Sequence, residues 1–253
     1  MGRILDRVNF RRAMRRWRRL ARAAQTASLS ELRDQRTEAR QLRHHLDRLI
    51  HVADGRLALP AIGTNAFHRP PGTDWAWRPE AWRGPLGRPG LAAAESRASL
   101  GEGLTLFHDC ATSELTLRQI RNLREEDLAP FGLRMDVFRF DGSFLSLVVD
   151  LPEAAVQGLT RDHLIRMTTI VEVEKPLEIF ARLNVQHGPN TEQIVREISP
   201  DRSEAMVEFD LAYSKLNEKR VEHAWVDLIF EGPEMNQVVV RDLTFARCPR
   251  AEM

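Results

Sequence analysis

Alternating apolar and polar residues dominate the chain from about residue 101 onward. Successive side chains of a strand point to opposite faces of a sheet, so this two-residue period predicts strands with one buried face. The pattern predicts ten strands: Leu104–Asp109, Glu114–Ile120, Met135–Phe140, Phe144–Asp150, His163–Val173, Leu177–Val185, Glu192–Ile198, Met206–Tyr213, Val221–Phe230 and Gln237–Phe245. Because no helices alternate with them, they predict a mainly β protein, a jelly-roll β-sandwich over residues 101–253.

Residues 1–54 show a helical period instead. Apolar residues recur at spacings of four and three, which predicts an amphipathic helix: Phe10, Met14, Trp17, Ala21 and Ala24. Ser28 and Glu31 form the sequence signature of a capping box and predict where a second helix begins. A narrow apolar seam with seven-residue spacing follows and predicts a short coiled coil or helical pair that ends at Asp54-Gly55.

Residues 55–100 are rich in Pro and Gly and contain Trp75, Trp77 and Trp82. Proline at this density opposes regular helices and central strands. Three large indole rings are not expected to remain in water. The segment is therefore predicted to be an extended arm that packs on the β-sandwich.

Charge divides the chain into a basic N-terminal segment and a mildly acidic remainder. Residues 1–24 contain nine Arg and one Asp, although the whole chain has a net charge of only +1. We expect residues 3–22 to contact an anionic membrane surface or to mediate homo-oligomerisation. Nucleic acid is not an expected partner, because the β-region has no basic strand face studded with aromatic residues.

The cysteines and the apolar runs bear on location. Cys110 and Cys248 lie far apart and form neither a zinc motif nor a disulfide framework, which favours a reducing compartment. No run of 18 apolar residues exists, and arginines interrupt the region where a signal peptide would need an apolar core. The expected location is the cytoplasm, and attachment to the cytoplasmic surface of the inner membrane is the alternative within it.

Two resemblances rest on quoted stretches. KPLEIFARLNVQHG, EHAWVDLIFEG and NQVVVRDLTFAR resemble strands of galactose-binding-domain-like jelly rolls, the architecture of many carbohydrate-binding modules. TDWAWRPEAWRGPL and RMDVFRFDGSFLSLVVDLP are similar to an uncharacterised family of alphaproteobacterial proteins, a domain of unknown function. The first resemblance implies a fold and the second implies no activity or functional residue.

Strand parity supplies the candidate binding site. If the strand of residues 221–230 lies beside its neighbours, its polar parity and theirs meet on one face, and the predicted ligand-binding residues are Arg182, Asn184, Gln186, His223, Trp225 and Asp227. Glu208 and Asp210 would join them if their strand belongs to the same sheet. An aromatic ring among planar hydrogen-bonding groups is typical of sites for glycans and other polar ligands. The alternative is that the arm covers this face.

Motifs of catalysis are missing from the sequence. It contains no GxSxG elbow, HExxH helix, Walker loop or GxGxxG turn. We therefore predict a non-catalytic binding protein with no catalytic residue, no metal site and no cofactor. The alternatives are a structural or interaction protein whose sandwich face is covered by the arm and, ranked below it, a carbohydrate-active enzyme.

Overall fold

The computed structural model describes residues 2–61, 67–124, 126–199 and 204–250. They fall into two compact units, Met1–Val52 and Ala53–Met253. Residues 62–66 of the predicted arm lie outside the described residues. Each unit is considered by itself below.

The N-terminal unit is helical, with α1 at Gly2–Ala23 and α2 beginning at Leu29. The capping box is confirmed, because the Ser28 backbone N–H donates to the Glu31 carboxylate at 3.2 Å and the Glu31 N–H donates to Ser28 Oγ at 3.4 Å. The predicted helix end at Asp54-Gly55 is wrong, since α2 continues to Ala61. One glycine inside a helix costs only about 1 kcal/mol relative to alanine, which the surrounding helix offsets.

The two helices leave apolar side chains in solvent. Phe10 and Met14 of α1 are 66% and 48% exposed, and Leu46 and Leu49 of the predicted seam in α2 are 46% and 64% exposed. The coiled-coil prediction therefore gains no support from burial along this seam. Among the described residues, no helix combines the length and the apolar character needed to cross a membrane.

The second unit contains two antiparallel sheets. The seven-stranded sheet has the order β11 (Ala205–Asp210), β8 (His163–Val173), β13 (Asn236–Pro249), β6 (Phe131–Val137), β5 (Leu115–Arg121) and β2 (Gly90–Ala92), with β1 (Trp75–Trp77) paired to β13. The six-stranded sheet has the order β10 (Asn190–Ile198), β9 (Glu178–His187), β12 (Val221–Glu231), β7 (Leu145–Asp150), β4 (Leu104–His108) and β3 (Ala98–Ser99). The chain crosses repeatedly between the sheets, and the predicted mainly β, jelly-roll sandwich is confirmed.

The core lies between the two sheets. The inward parity of β9 and β12 is at most 2% exposed: Ile179, Ala181, Leu183, Val185, Ala224, Val226, Leu228 and Phe230. Removal of these aliphatic and aromatic side chains from water is the main stabilising contribution, at roughly 25 cal/mol for each Å² of apolar surface. The alternate residues of the same strands must then point away from the core, as the sequence period predicts.

Residues 67–100 are built into the sandwich. β1 pairs with β13, β2 with β5 and β3 with β4. The Trp82 side chain, at the short helix α3 (Glu80–Arg83), is fully buried, and its indole Nε1–H donates to the Val240 carbonyl at 2.9 Å. Trp75 and Trp77 are half-buried, and the Trp77 ring stacks on Phe245 with centroids 5.9 Å apart.

A buried ion pair fixes the same segment to β13. Arg78 Nε donates to Asp242 Oδ1 at 2.9 Å, and Arg78 Nη2 donates to Oδ2 at 2.7 Å. Burial raises the pKa of Asp242, while the hydrogen bonds and the charge of Arg78 oppose that rise. The Leu243 backbone N–H also donates to the carboxylate, so the buried charge has several donors.

Candidate functional site

A groove of about 690 Å³ lies on the outer face of the six-stranded sheet. Its walls come from strands β10, β9, β12, β7 and β4 and from Phe144, which precedes β7. All six residues predicted from strand parity line this groove: Arg182, Asn184, Gln186, His223, Trp225 and Asp227. The prediction that these two strands, β9 and β12, are neighbours in one sheet is therefore correct.

The register of the strands explains why these side chains meet. Trp225 of β12 pairs with Asn184 of β9 on one side and with Asp150 of β7 on the other. Asp227, two residues further, pairs with Arg182. Residues in register on neighbouring strands share a face, so each pair places its side chains on the outer surface together.

A hydrogen-bonded polar network forms the floor of the groove. The Asp227 side chain is only 5% exposed, and its Oδ2 accepts hydrogen bonds from Arg182 Nε at 2.7 Å and from Asn184 Nδ2 at 3.0 Å. Asn184 Oδ1 in turn accepts from Gln193 Nε2 at 2.9 Å. The network satisfies the buried carboxylate and holds the amide and guanidinium planes in fixed orientations. The Arg182 side chain is still 37% exposed and lines the groove, so part of it faces solvent.

Two aromatic rings stand beside this network. The His223 and Trp225 rings stack with centroids 5.4 Å apart and planes 23° apart. His223 Nε2 lies 3.3 Å from Asp150 Oδ1, and both of these side chains are nearly half exposed. The groove therefore combines an indole surface with imidazole, carboxylate, amide and guanidinium groups.

The described part of the arm does not cover this face. None of the lining residues comes from 67–100, and Trp225 is half-buried on the groove wall. The arm tryptophans contact β13 of the other sheet instead, through Trp77 on Phe245 and Trp82 on Val240. The prediction that the arm covers this face therefore fails for its tryptophans, because pairing of β1 with β13 holds Trp75 and Trp77 on the seven-stranded sheet and Trp82 is bonded to Val240 there.

Glu208 and Asp210 do not reach the groove. Their strand β11 pairs with β8, in the seven-stranded sheet. There the Glu208 carboxylate accepts from Arg166 Nε at 3.0 Å, and Asp210 lies 3.5 Å from Arg250 Nε. The condition under which they would join the polar face, a strand in the same sheet, is therefore not met, because parity orders the residues of one strand but does not identify the adjacent strand.

Sequence reasoning missed seven lining residues: Phe107, Phe144, Ser146, Val148, Asp150, Gln193 and Ile229. Ile229 has the parity of Trp225 and could have been included on that ground. The lining residues on β4 and β7 could not be predicted, because the sequence does not show that β12 pairs with β7 and that β7 pairs with β4. In the part of the chain that the structure describes, no group of three or more His, Cys, Asp or Glu residues is arranged to hold a metal ion.

Comparisons with known proteins give a family and a set of distant structural neighbours. A family model described as "Family of unknown function (DUF6478)" matches residues 1–253. No curated protein matches the chain.

Among solved structures, the chain is similar to the enzymatically active domain of bacteriophage CBA120 tailspike protein 4, with a TM-score of 0.41 and 6% identity over 57% of this chain. It spans only 19% of that tailspike chain. It is also similar to the family 11 carbohydrate-binding module from Clostridium thermocellum in complex with a β-1,3-1,4-mixed-linked tetrasaccharide, with a TM-score of 0.40 and 13% identity over 65% of this chain and 97% of that one. A C-terminal family 22 module of Xyn10B from the same organism gives a TM-score of 0.36 and 8% identity over 74% and 100%. The ligands in these names belong to those proteins.

Proposed function

The chain belongs to the family of unknown function DUF6478, and we propose that it is a non-catalytic binding protein whose groove on the six-stranded sheet takes a polar ligand, with a glycan as the leading class. The observation that carries the proposal is the half-buried Trp225 beside the hydrogen-bonded Arg182, Asn184 and Asp227, in a groove that has no lining residue from the described segment 67–100. This composition matches the chemistry of a sugar ring, which has an apolar C–H face and a rim of hydroxyl groups.

Each part of the groove has a role in such binding. The indole of Trp225 offers a flat apolar surface for the C–H face of a sugar ring. Arg182, His223 and Asp150 offer donors and acceptors for hydroxyl groups at the rim. Because the Asp227 network fixes its neighbours before a ligand arrives, little side-chain entropy is lost on binding. Phe107 and Ile229 extend the apolar surface along the groove.

A glycan array followed by calorimetric titration tests the proposal. The parent chain should bind a subset of glycans, and Trp225→Ala should abolish that binding while the protein remains folded. Tyr213→Ala is the matched control, because Tyr213 is an aromatic residue 83% exposed and outside the groove. Its glycan profile should equal that of the parent.

Two results would contradict the proposal. The first is a parent chain that binds no glycan at any concentration tested. The second is a Trp225→Ala profile identical to that of the parent, which would place any glycan binding elsewhere on the protein.

A second function is proposed for the N-terminal unit, namely attachment to an anionic membrane surface, with self-association as the alternative. The observation that favours it is the exposure of Phe10 and Met14 on a helix whose remaining surface is rich in arginine. Amphipathic basic helices of this kind bury their apolar face at the level of lipid headgroups. Binding of the full chain to anionic but not neutral vesicles tests this function.

A further inference from the structure

A second groove, of about 710 Å³, lies on the outer face of the seven-stranded sheet. Strands β2, β5 and β6 and the beginning of β13 supply its walls. Arg118 of β5 and Arg134 of β6 both line it and are directly opposite each other in the strand register. Like charges at directly opposed positions of a sheet repel each other and are destabilising. A negative charge close to the two guanidinium groups would reduce this repulsion.

Among the described residues, Asp136 supplies the only carboxylate within 4 Å of either arginine, and most of its acceptor capacity is used, since Arg134 Nη2 also lies 2.7 Å from its Oδ1. Asp136 Oδ1 accepts from Arg134 Nε at 2.8 Å and from Gln237 Nε2 at 3.1 Å, while Oδ2 accepts from Thr116 Oγ1 at 3.2 Å. Arg118 Nε lies 3.9 Å from Oδ2, beyond hydrogen-bond distance, and half of the Arg118 side chain is exposed. Arg118 therefore retains donors that Asp136 does not engage.

The other charged residues of the groove do not supply the missing charge. Glu174 and Lys175 also line the groove and contribute one charge of each sign. Together with Arg118, Arg134 and Asp136 they leave the groove with an excess of one positive charge.

A glycine lies beside Arg118 on the neighbouring strand. Gly90 of β2 pairs with Arg118 in the register. A Cβ atom added at Gly90 would lie 3.1 Å from Arg118 Cβ, so any larger residue would crowd the arginine from that side. The glycine therefore allows β2 to lie close to the base of the Arg118 side chain, and a side chain at this position would displace Arg118.

Apolar side chains stand at the opposite rim. Phe138 and Met235 are 53% and 58% exposed, and the Met235 N–H donates to the Phe138 carbonyl at 3.0 Å. Met235 has a φ of +51°, a left-handed conformation that is unfavourable for a residue with a side chain. The groove thus joins a cationic wall to an exposed apolar rim.

We propose that this groove binds a small oxyanion-bearing ligand, with Arg118 and Arg134 holding a carboxylate or phosphate group and Phe138 and Met235 contacting the carbon skeleton. Guanidinium groups form paired, charge-assisted hydrogen bonds to such planar or tetrahedral oxyanions. The bound oxyanion would provide the second negative charge that the opposed arginine pair lacks. The site is on the sheet opposite to the Trp225 groove and does not depend on the function proposed there.

Calorimetric titration of the full chain with glucuronate, inorganic phosphate and glucose tests this site. Saturable binding of glucuronate alone identifies a carboxylate site, and binding of phosphate alone identifies a phosphate site. Binding of both supports the oxyanion proposal in its general form. Absence of binding by both anions overturns it, and so does equal binding of glucose by Trp225→Ala, the variant in which the other groove is disabled.

Three variants locate the binding. Arg118→Gln should raise the dissociation constant of the anion at least about tenfold, the loss expected for one charge-assisted hydrogen bond. Arg139→Gln removes the same charge from an exposed residue outside the groove and should leave the affinity unchanged. Gly90→Ala should weaken the binding of the anion although the charge of the protein is unchanged. This variant provides a second measurement if Arg118→Gln folds poorly. Parent-like affinity in both the Arg118 and the Gly90 variants overturns the proposal, and retention of anion binding in Trp225→Ala separates this site from the other groove.

Discussion

At the scale of single residues, Trp82 and Trp225 are the same type of side chain in two different environments. Trp82 has no exposed surface and donates its indole N–H to the Val240 carbonyl. Trp225 is half-buried, and its ring lies against His223 in the groove. The first ring is part of the core, whereas the second retains a surface that a ligand can contact.

This difference predicts unequal losses of stability. Trp82→Ala should lower the free energy of unfolding by about 3–5 kcal/mol, the range for aromatic truncation in a core. Trp225→Ala should cost clearly less, because a half-buried ring loses less buried surface. Urea denaturation of the two variants and the parent measures both. Equal losses of unfolding free energy would mean that Trp225 is a structural residue. A loss of glycan binding in Trp225→Ala would then not be evidence of a contact between Trp225 and the ligand.

Parity along a strand explains how far the sequence reveals the groove. The two-residue period placed His223, Trp225 and Asp227 on one face, and the structure agrees. It did not reveal Asp150, which reaches Trp225 through pairing of β12 with β7. Pairing between strands distant in sequence is decided by the packing of the whole sandwich, and no local pattern encodes it.

At the scale of elements, the segment of residues 67–100 is joined to the sandwich by more than packing. Besides Trp82, it provides the buried Arg78, whose guanidinium is held by two hydrogen bonds to Asp242. Both partners are removed from water, with side-chain exposures of 1% and 10%. Loss of either partner would leave the other as an uncompensated buried charge or polar group.

Arg78→Ala should therefore destabilise the sandwich by about 3–5 kcal/mol, as removal of one partner of a buried ion pair does. Arg83→Ala, an exposed arginine of the neighbouring short helix α3, is the control and should change stability by less than about 0.5 kcal/mol. Thermal and urea unfolding followed by circular dichroism measure the difference. Equal stabilities of the two variants would mean that the segment is a tether on the sandwich surface.

The sequence predicted a packed arm but not its strands. β1, β2 and β3 contain three, three and two residues. A two-residue period cannot be recognised over so few positions, and the surrounding prolines oppose a strand prediction. By contrast β8 has the predicted bounds, His163–Val173, because its alternation continues over eleven residues.

At the scale of the whole molecule, the strongly basic segment and the two grooves belong to different units. Residues 1–24 hold nine of the arginines, and the unit Met1–Val52 leaves Phe10, Met14 and Leu49 exposed. The described residues that line the two grooves all belong to the unit Ala53–Met253. Surface attachment and ligand binding should therefore be separable by truncation.

The corresponding prediction concerns the full chain and a truncated chain of residues 53–253. The full chain should float with anionic vesicles and not with neutral ones, because each basic residue near such a surface contributes about 1 kcal/mol. Binding should weaken as salt screens the charges. The truncated chain should lose flotation, while its glycan profile and unfolding midpoint stay those of the parent.

Two variants of the full chain separate the contributions to vesicle binding. Phe10→Ser with Met14→Ser retains every arginine but removes the apolar contact, so flotation should fall although the charge is unchanged. Arg11→Gln with Arg12→Gln retains the apolar residues, and its residual binding should depend less on salt. If the full chain ignores vesicles but sediments as an oligomer that the truncated chain does not form, self-association replaces membrane attachment as the function of the N-terminal unit. Flotation with neutral vesicles to the same extent would contradict the electrostatic argument, because nine arginines gain nothing from a surface without charge.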